Sequence, residues 1–326
     1  MRVDKDEFTG RAIAKDALPP LEAFRRAGGL PFHEYSVEDV RRMYVENCEA
    51  APLHETHTPE QSDFEVGAFH VRLYDPRSKT ERSNPTAGIL FVHGGGWIMG
   101  NLRTHHFVAR RLSVRTGLPL LAVDYRLAPE HRYPAAIDDC REAMDWFLER
   151  DDLHGVRLSS LSLVGDSAGG QLATVLTNEA VAGGVKNPID SQVLLYPVTD
   201  LTEGNITTSA SYQRVVAGFP LVAETMEWFA DAYVSKEVDR SASDLSPLQA
   251  VLPEGLPASY VITVDNDPLA EEGARYAAKL AAAGAPVQYE HLVGYAHGLF
   301  TSAGRIPTGE HYVNKAADFI VENTSV

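Results

Sequence analysis

Gly165-Asp166-Ser167-Ala168-Gly169-Gly170 sets a serine midway between two glycines, each two residues away. The residues before it, 161–164, read as a strand, and 168–181 reads as a helix. A serine on such a strand–turn–helix elbow is held out at the edge of a sheet with its hydroxyl free to attack a carbonyl. The turn is too sharp for side chains at 165 and 169, and the helix N-terminus behind the serine favours developing negative charge. A second glycine turn, His93-Gly94-Gly95-Gly96-Trp97, directly follows the apolar run 89–92. Successive glycines leave backbone N–H groups uncovered, the donors that acyl transfer needs when a carbonyl oxygen becomes an oxyanion. Phosphate-binding readings of this turn fail. Gly95 and Gly100 have P-loop spacing, but Asn101-Leu102 stands where Lys-Ser/Thr is required, and Met99 replaces the third glycine of a dinucleotide fingerprint.

A serine nucleophile needs a base, and the base needs an orienting acid. In this type of sheet the chain order is serine, acid, histidine, with the last two in loops after late strands. The run 261–264 is followed by Asp265 and Asp267, and both are candidates for the acid. The run 287–292 is followed by Gly294-Tyr295-Ala296-His297-Gly298, which makes His297 the candidate base. His291 falls within that strand and reads as structural. Metal chemistry is not expected. His105-His106 and His54 with His57 have no third ligand at useful spacing, and Thr58 stands where H-E-x-x-H requires histidine.

Apolar strand-length runs alternate with helical segments to position these groups. Strands are predicted at 88–92, 119–123, 161–164, 192–196, 259–264 and 287–292. Helices are predicted at 104–116, 134–149, 168–181, 270–283 and 310–321. The alternation implies βαβ units and a mainly parallel sheet, with chemistry at the carboxyl ends of its strands. Period-two patterning over 63–75 predicts a hairpin or two short antiparallel strands. Residues 1–60 read as helical: Pro19-Pro20 opens a helix that Gly28-Gly29 ends, and Ser36 caps another that runs to about Cys48. More than 60 residues between Tyr196 and Ser259 carry no strand pattern but hold Tyr212, Phe219, Trp228, Phe229 and Tyr233. A structureless loop of that length is uncommon. The segment reads as an inserted helical region that, with residues 1–50, caps the active edge of the sheet.

Composition excludes other classes. The 326 residues carry 29 Lys+Arg against 45 Asp+Glu, a net charge of −16, which argues against nucleic acid and anionic membrane surfaces. Hydrophobic residues at 44% fit a globular chain rather than a disordered one. No run approaches the 18 or so apolar residues of a membrane span. Cys48 and Cys140 are too few for a disulfide scaffold, and the N-terminus has no apolar signal region, so a soluble cytoplasmic protein is expected.

The ordered motifs identify a resemblance. His93-Gly94-Gly95-Gly96-Trp97, the run from Asp124 to Ala136, the elbow Gly165–Gly170, Asp267-Pro268-Leu269 and His297-Gly298 together resemble the hormone-sensitive-lipase-like esterases of the α/β-hydrolase fold. The resemblance covers about residue 63 to the C-terminus. It implies a mostly parallel central sheet flanked by helices, with a helical cap. It implies an N-terminal cap part at 1–55, a catalytic core at 56–200 and 245–326, and an inserted cap part at 201–244. It implies a serine carboxylesterase acting on short- to medium-chain acyl esters, with Ser167, Asp267 and His297 as the triad. The oxyanion donors it implies are the amides of Gly95, Gly96 and Ala168, with Gly94 as the competitor of Gly96. Tyr125, Arg126, Pro129 and Tyr133 brace the oxyanion loop in this reading. Trp97, Phe219, Leu221 and Trp228 are candidates for the substrate pocket. No cofactor is implied, and the partner is a small ester. A homodimer is open through the last strand or final helix. An amidase, lactonase or lipase shares these motifs, and a non-catalytic receptor shares the fold.

Overall fold

The computed structural model describes residues 3–6, 9–55, 57–149, 156–183 and 189–324. The chain opens with strands β1 (Val3–Lys5) and β2 (Ala12–Ala14), then helices α1 (Leu18–Arg26) and α2 (Val37–Glu49). Strands β3 (Glu60–Val66) and β4 (Phe69–Asp75) follow as a hairpin. The alternating part runs β5 (Thr86–Val92), α3 (His106–Thr116), β6 (Leu120–Asp124), α4 (Ala135–Glu149), β7 (Leu158–Asp166), α5 (Ala168–Gly183) and β8 (Ile189–Leu195). Three helices come next: α6 (Glu203–Thr208), α7 (Ala210–Arg214) and α8 (Ala223–Tyr233). The chain ends β9 (Ala258–Asn266), α9 (Ala270–Ala282), β10 (Val287–Ala296) and α10 (Pro307–Asn323).

Among the described residues the main sheet has eight strands in the order β10-β9-β8-β7-β5-β6-β4-β3. The pairings from β10 through β6 are all parallel, and β4 and β3 add on antiparallel. Parallel strands covered on both faces become continuous apolar runs. β5 shows this: Ile89 and Phe91 face one apolar core, Leu90 and Val92 the other. The register aligns the strand exits. Val92 pairs with Gly165, Gly165 with Leu194, and Leu195 with Ile262. The turns after β5, β7, β8 and β9 therefore open at one edge.

β10 adds a feature that periodicity does not show. Its predicted end was 292, but it continues to Ala296 through a bulge: Leu292 pairs with Val264 and Ala296 with Asn266. Gly294, at φ 86°, takes a left-handed conformation inside the bulge. The extra residues bring His297 level with Asp267.

The first 60 residues were expected to be wholly helical, and the structure corrects this. Residues 1, 2, 7, 8 and 56 lie outside the described residues, but Val3–Lys5 and Ala12–Ala14 form an antiparallel pair. What holds this pair is remote in sequence. Arg11 donates to the Asp265 carbonyl at 2.9 Å and to the Asn266 side chain, and Asn266 Nδ2 donates to the Ala12 carbonyl at 2.9 Å. The helices α1 and α2 appear as expected, and Ser36 Oγ accepts the Asp39 amide at 3.1 Å as the N-cap of α2.

The N-terminal segment and the α6–α8 segment are joined. Phe32 N–H donates to the Pro220 carbonyl at 3.1 Å, His33 Nδ1 meets Thr225 Oγ1 at 2.8 Å, and Arg25 Nη2 donates to the Gly218 carbonyl at 3.1 Å. Two consecutive acids at the start of α9 fasten the inserted segment to the sheet. Glu271 accepts the Ala210 amide at 2.7 Å, and the buried Glu272 accepts the Thr199 amide at 2.7 Å.

Candidate active site

Ser167 stands between β7 and α5 with φ at 55°, a left-handed conformation for a residue with a side chain. Its surroundings fix it there. Its N–H donates to the Leu195 carbonyl at 2.9 Å, and its carbonyl accepts from Val198 N–H and Gln171 N–H, each at 3.1 Å. The glycines at 165 and 169 follow from crowding. A Cβ at Gly165 would overlap the Gly169 carbonyl, and a Cβ at Gly169 would overlap the carbonyls of Val92 and His93. Because those neighbours are backbone, they yield only by moving a strand end. Gly169→Ala is therefore expected to destabilise by about 1–3 kcal/mol or more and to displace the glycine turn after β5. Gly183→Ala, at the open end of α5, serves as its control, since nothing lies within 4 Å of a Cβ there. Thermal melting of the two variants checks this, and equal midpoints would refute it.

His297 follows β10 and Asp267 follows β9. His297 Nδ1 lies 2.7 Å from Asp267 Oδ2, and the second oxygen, Asp267 Oδ1, accepts the Leu269 amide at 2.9 Å. Asp267 is fully buried and Ser167 is 5% exposed. Asp265, the other candidate acid, is engaged elsewhere: Arg11 Nη2 reaches its Oδ1 at 3.1 Å and His291 Nε2 at 3.9 Å. The nearby His291 ring, then Arg11 and the Gly294 amide, hold the Asp265 carboxyl below its ordinary range against the effect of burial. His291 lies in β10 with Nδ1 on Thr263 Oγ1 at 2.9 Å, as a structural histidine would.

The glycine turn after β5 is held from below by groups that bear no obvious chemistry. Asp166 Oδ1 accepts the Gly94 amide at 2.8 Å, so that amide is already committed. Among the described residues no acceptor takes the amides of Gly95 or Gly96. Ala168 opens α5, and a first helical amide has no acceptor in its own helix. Burial raises the Asp166 carboxyl, but the His105 ring and the Gly94 amide outweigh it and hold the group below its usual range. His105 Nε2 lies 3.1 Å from Asp166 Oδ1, and His106 Nδ1 meets Tyr74 OH at 3.0 Å, so both histidines of that pair have structural partners. Burial, with His105 beside it, lowers His93 to about 3 and keeps the ring neutral. Its Nδ1–H donates to the Gly94 carbonyl at 2.9 Å, and the Tyr125 hydroxyl donates to the His93 carbonyl at 2.9 Å.

Sequence reasoning passed over three residues here. Asp166 was quoted within the elbow but given no role. His105 was weighed only as a metal ligand. Tyr196, the first residue past β8, lies against the His297 ring, with centroids 4.1 Å apart and planes tilted by 40°. It has φ at 38°, donates its N–H to the Ile262 carbonyl at 2.6 Å and accepts the Phe300 amide at 3.4 Å. Its place at a strand exit was the available signal.

The four pocket candidates do not form one wall. Trp97 and Leu221 belong to one core with Phe229 and Tyr233, whereas Phe219 belongs to the core on the other face of the sheet. Arg25 lies over the Phe219 ring at 5.8 Å. Trp228 is half-buried against Phe229, ring centroids 5.3 Å apart. Among the described residues no helix is long and apolar enough to cross a membrane.

Comparison with known proteins agrees with this architecture. The family model described as alpha/beta hydrolase fold matches residues 89–301. The chain is 34% identical to an ethyl acetate hydrolase of Pseudomonas putida over 286 residues, 86% of this chain and 88% of that protein. It is 35% identical to carboxylesterase NlhH of Mycobacterium tuberculosis over 239 residues, 73% of each chain. Among solved structures, an ester-hydrolase from the metagenome of Lake Arreo superposes with a TM-score of 0.84 at 30% identity, covering 95% of this chain and 98% of the other. With the sheet order, the elbow and these relatives in agreement, the chain belongs to the alpha/beta hydrolase fold family, among its hormone-sensitive-lipase-like esterases, and is an enzyme of the ester-hydrolase class.

Proposed function

We propose that the chain is a serine carboxylesterase for short- to medium-chain acyl esters, with Ser167 as nucleophile, His297 as base and Asp267 as orienting acid. The observation that carries this reading is the 2.7 Å contact between His297 Nδ1 and a buried Asp267 carboxylate oxygen, at the same sheet edge as the strained serine. A carboxylate there accepts the Nδ1 proton, which leaves Nε2 with its lone pair free to take the Ser167 proton. Ser167 Oγ then bonds to the ester carbonyl carbon, and the carbonyl oxygen takes up the negative charge. The amides of Gly95, Gly96 and Ala168 receive that charge; Gly94 is passed over because Asp166 already holds its N–H. His297 returns the proton to the departing alkoxide and the alcohol leaves. Water adds to the acyl-enzyme by the same route, releasing the acid and restoring Ser167. The apolar lining is assigned to the half-buried Trp228, with Leu221 and Trp97 in the core behind it and Phe219 in the other core. The name of the Pseudomonas putida relative supports a short acyl group.

Hydrolysis of p-nitrophenyl esters from acetate to palmitate tests the reading. Activity is expected to peak between acetate and octanoate. A peak at palmitate overturns the chain-length assignment. Absence of turnover on every ester by folded protein overturns the enzyme reading itself.

A further inference from the structure

We infer that helix α8 of the inserted segment sets the geometry of the oxyanion loop, with Phe229 and Tyr233 as positioning residues for it. This rests on the serine-esterase reading above and adds a function to a helix that otherwise only covers the site.

Gly96 and Trp97 are consecutive left-handed residues, with φ at 59° and 58°. Glycine adopts this freely, but tryptophan does not, and a strained residue persists only where its surroundings over-determine it. Trp97 is held at its carbonyl, its indole N–H and its ring. Its carbonyl accepts the Ala128 amide at 2.8 Å. Its indole Nε1 donates to Gln171 Oε1 at 3.2 Å, one turn along α5 from Ser167. Its ring lies flat on Tyr233 of α8, with centroids 4.6 Å apart and planes 3° apart. Gly96 has its own cover from the same helix, because a Cβ at that position would run into the Phe229 ring. Phe229 and Tyr233 are four residues apart and so lie on one face of α8, the face applied to the loop.

Tyr233 is itself fixed. Its carbonyl accepts the Tyr133 amide at 2.9 Å, and its ring meets Tyr133 edge-on at 6.0 Å. Its hydroxyl, among the described residues, is buried without a hydrogen-bond partner. The ring rather than the hydroxyl therefore holds Trp97. The loop is gripped on two sides: Asp166 and Tyr125 hold Gly94 and His93 from the sheet, and α8 holds Gly96 and Trp97 from above. Release of the upper grip lets the left-handed Gly96–Trp97 pair relax together, and the change at Gly96 moves its amide away from the oxyanion. Ground-state binding of the ester has no such dependence.

The test compares Tyr233→Leu, Phe229→Leu and Tyr233→Phe with wild type. Active sites are titrated by the p-nitrophenol burst of a p-nitrophenyl phosphonate. Each protein is assayed for kcat and KM on p-nitrophenyl acetate and for inhibition by an alkyl trifluoromethyl ketone, whose adduct with serine carries an oxyanion. In both leucine variants kcat per titrated site is expected to fall about tenfold or more, with KM within about twofold of wild type. The ketone inhibition constant should rise by the same factor as kcat/KM falls, and Tyr233→Phe should match wild type. If Tyr233→Leu does not fold, Phe229→Leu, which removes no hydrogen bond, is read in the same way. Leucine variants with unchanged kcat and ketone affinity per titrated site overturn the inference, also when fewer sites titrate, because the rings then serve folding alone. Loss of activity in Tyr233→Phe equal to that in Tyr233→Leu overturns the assignment to the ring. A wild-type enzyme that neither the phosphonate nor the ketone engages overturns the serine-esterase reading and the inference with it.

Discussion

Ser167→Ala is expected to lower kcat on p-nitrophenyl acetate by about 10⁶-fold, the loss that removal of the nucleophile brings where three residues act as a unit. The folded state is expected to survive. The bonds that hold residue 167 are backbone bonds, to Leu195, Val198 and Gln171, and alanine keeps all of them. The side chain lost is small, and among the described residues no side-chain hydrogen bond of the folded core depends on it. The left-handed φ of 55° is as costly for alanine as for serine, so the change in stability should be about 1 kcal/mol or less. The variant should therefore melt near wild type, and a p-nitrophenyl phosphonate should add mass to wild type alone. Residual turnover above the rate in buffer is compatible with the reading, because the amides of the oxyanion loop still polarise the ester. Activity within tenfold of wild type would remove Ser167 from the mechanism.

The legibility of this chain divides by the range of the interactions involved. The elbow was readable because the crowding at Gly165, against the Gly169 carbonyl four residues on, is local and admits one residue type. The central parallel strands were readable because burial on both faces favours unbroken apolar runs, as at 89–92 in β5. The N-terminal hairpin was not, since strands of three residues carry too little pattern. Their partner is Asn266, more than 250 residues away. Nor was the β10 bulge readable. Val293-Gly294-Tyr295 looks like the start of a loop, and only pairing with β9 shows that the strand resumes at Ala296. Sequence left Gly94 and Gly96 as competing donors for a related reason. The contact on which the proposed choice rests, Gly94 N–H to Asp166, joins residues 72 apart. The position of Tyr196 against His297 is likewise a product of strand order, which no local pattern encodes.

The two aspartates after β9 give the second large prediction. Asp267→Asn is expected to lower kcat by about 10⁴-fold, and Asp265→Asn by less than about tenfold. Asp267 Oδ1 accepts the Leu269 amide, and an asparagine keeps that bond by placing its carbonyl oxygen there. Its NH₂ then occupies the position of Oδ2 and points a donor at His297 Nδ1. The imidazole answers by carrying its proton on Nε2, which is the tautomer that cannot accept from a serine. The geometry is preserved and the chemistry is lost. Asp265→Asn touches neither His297 nor Ser167. Its carboxylate faces Arg11 and His291, so the substitution weakens the seat of the N-terminal hairpin and leaves the tautomer alone. The two variants therefore separate by readout as well as by size. Asp267→Asn should melt near wild type and lose kcat, whereas Asp265→Asn should keep kcat and melt slightly lower. The reverse pattern, with kcat lost at 265 and kept at 267, would transfer the role of orienting acid to Asp265 and break the link between the β10 bulge and the position of the base.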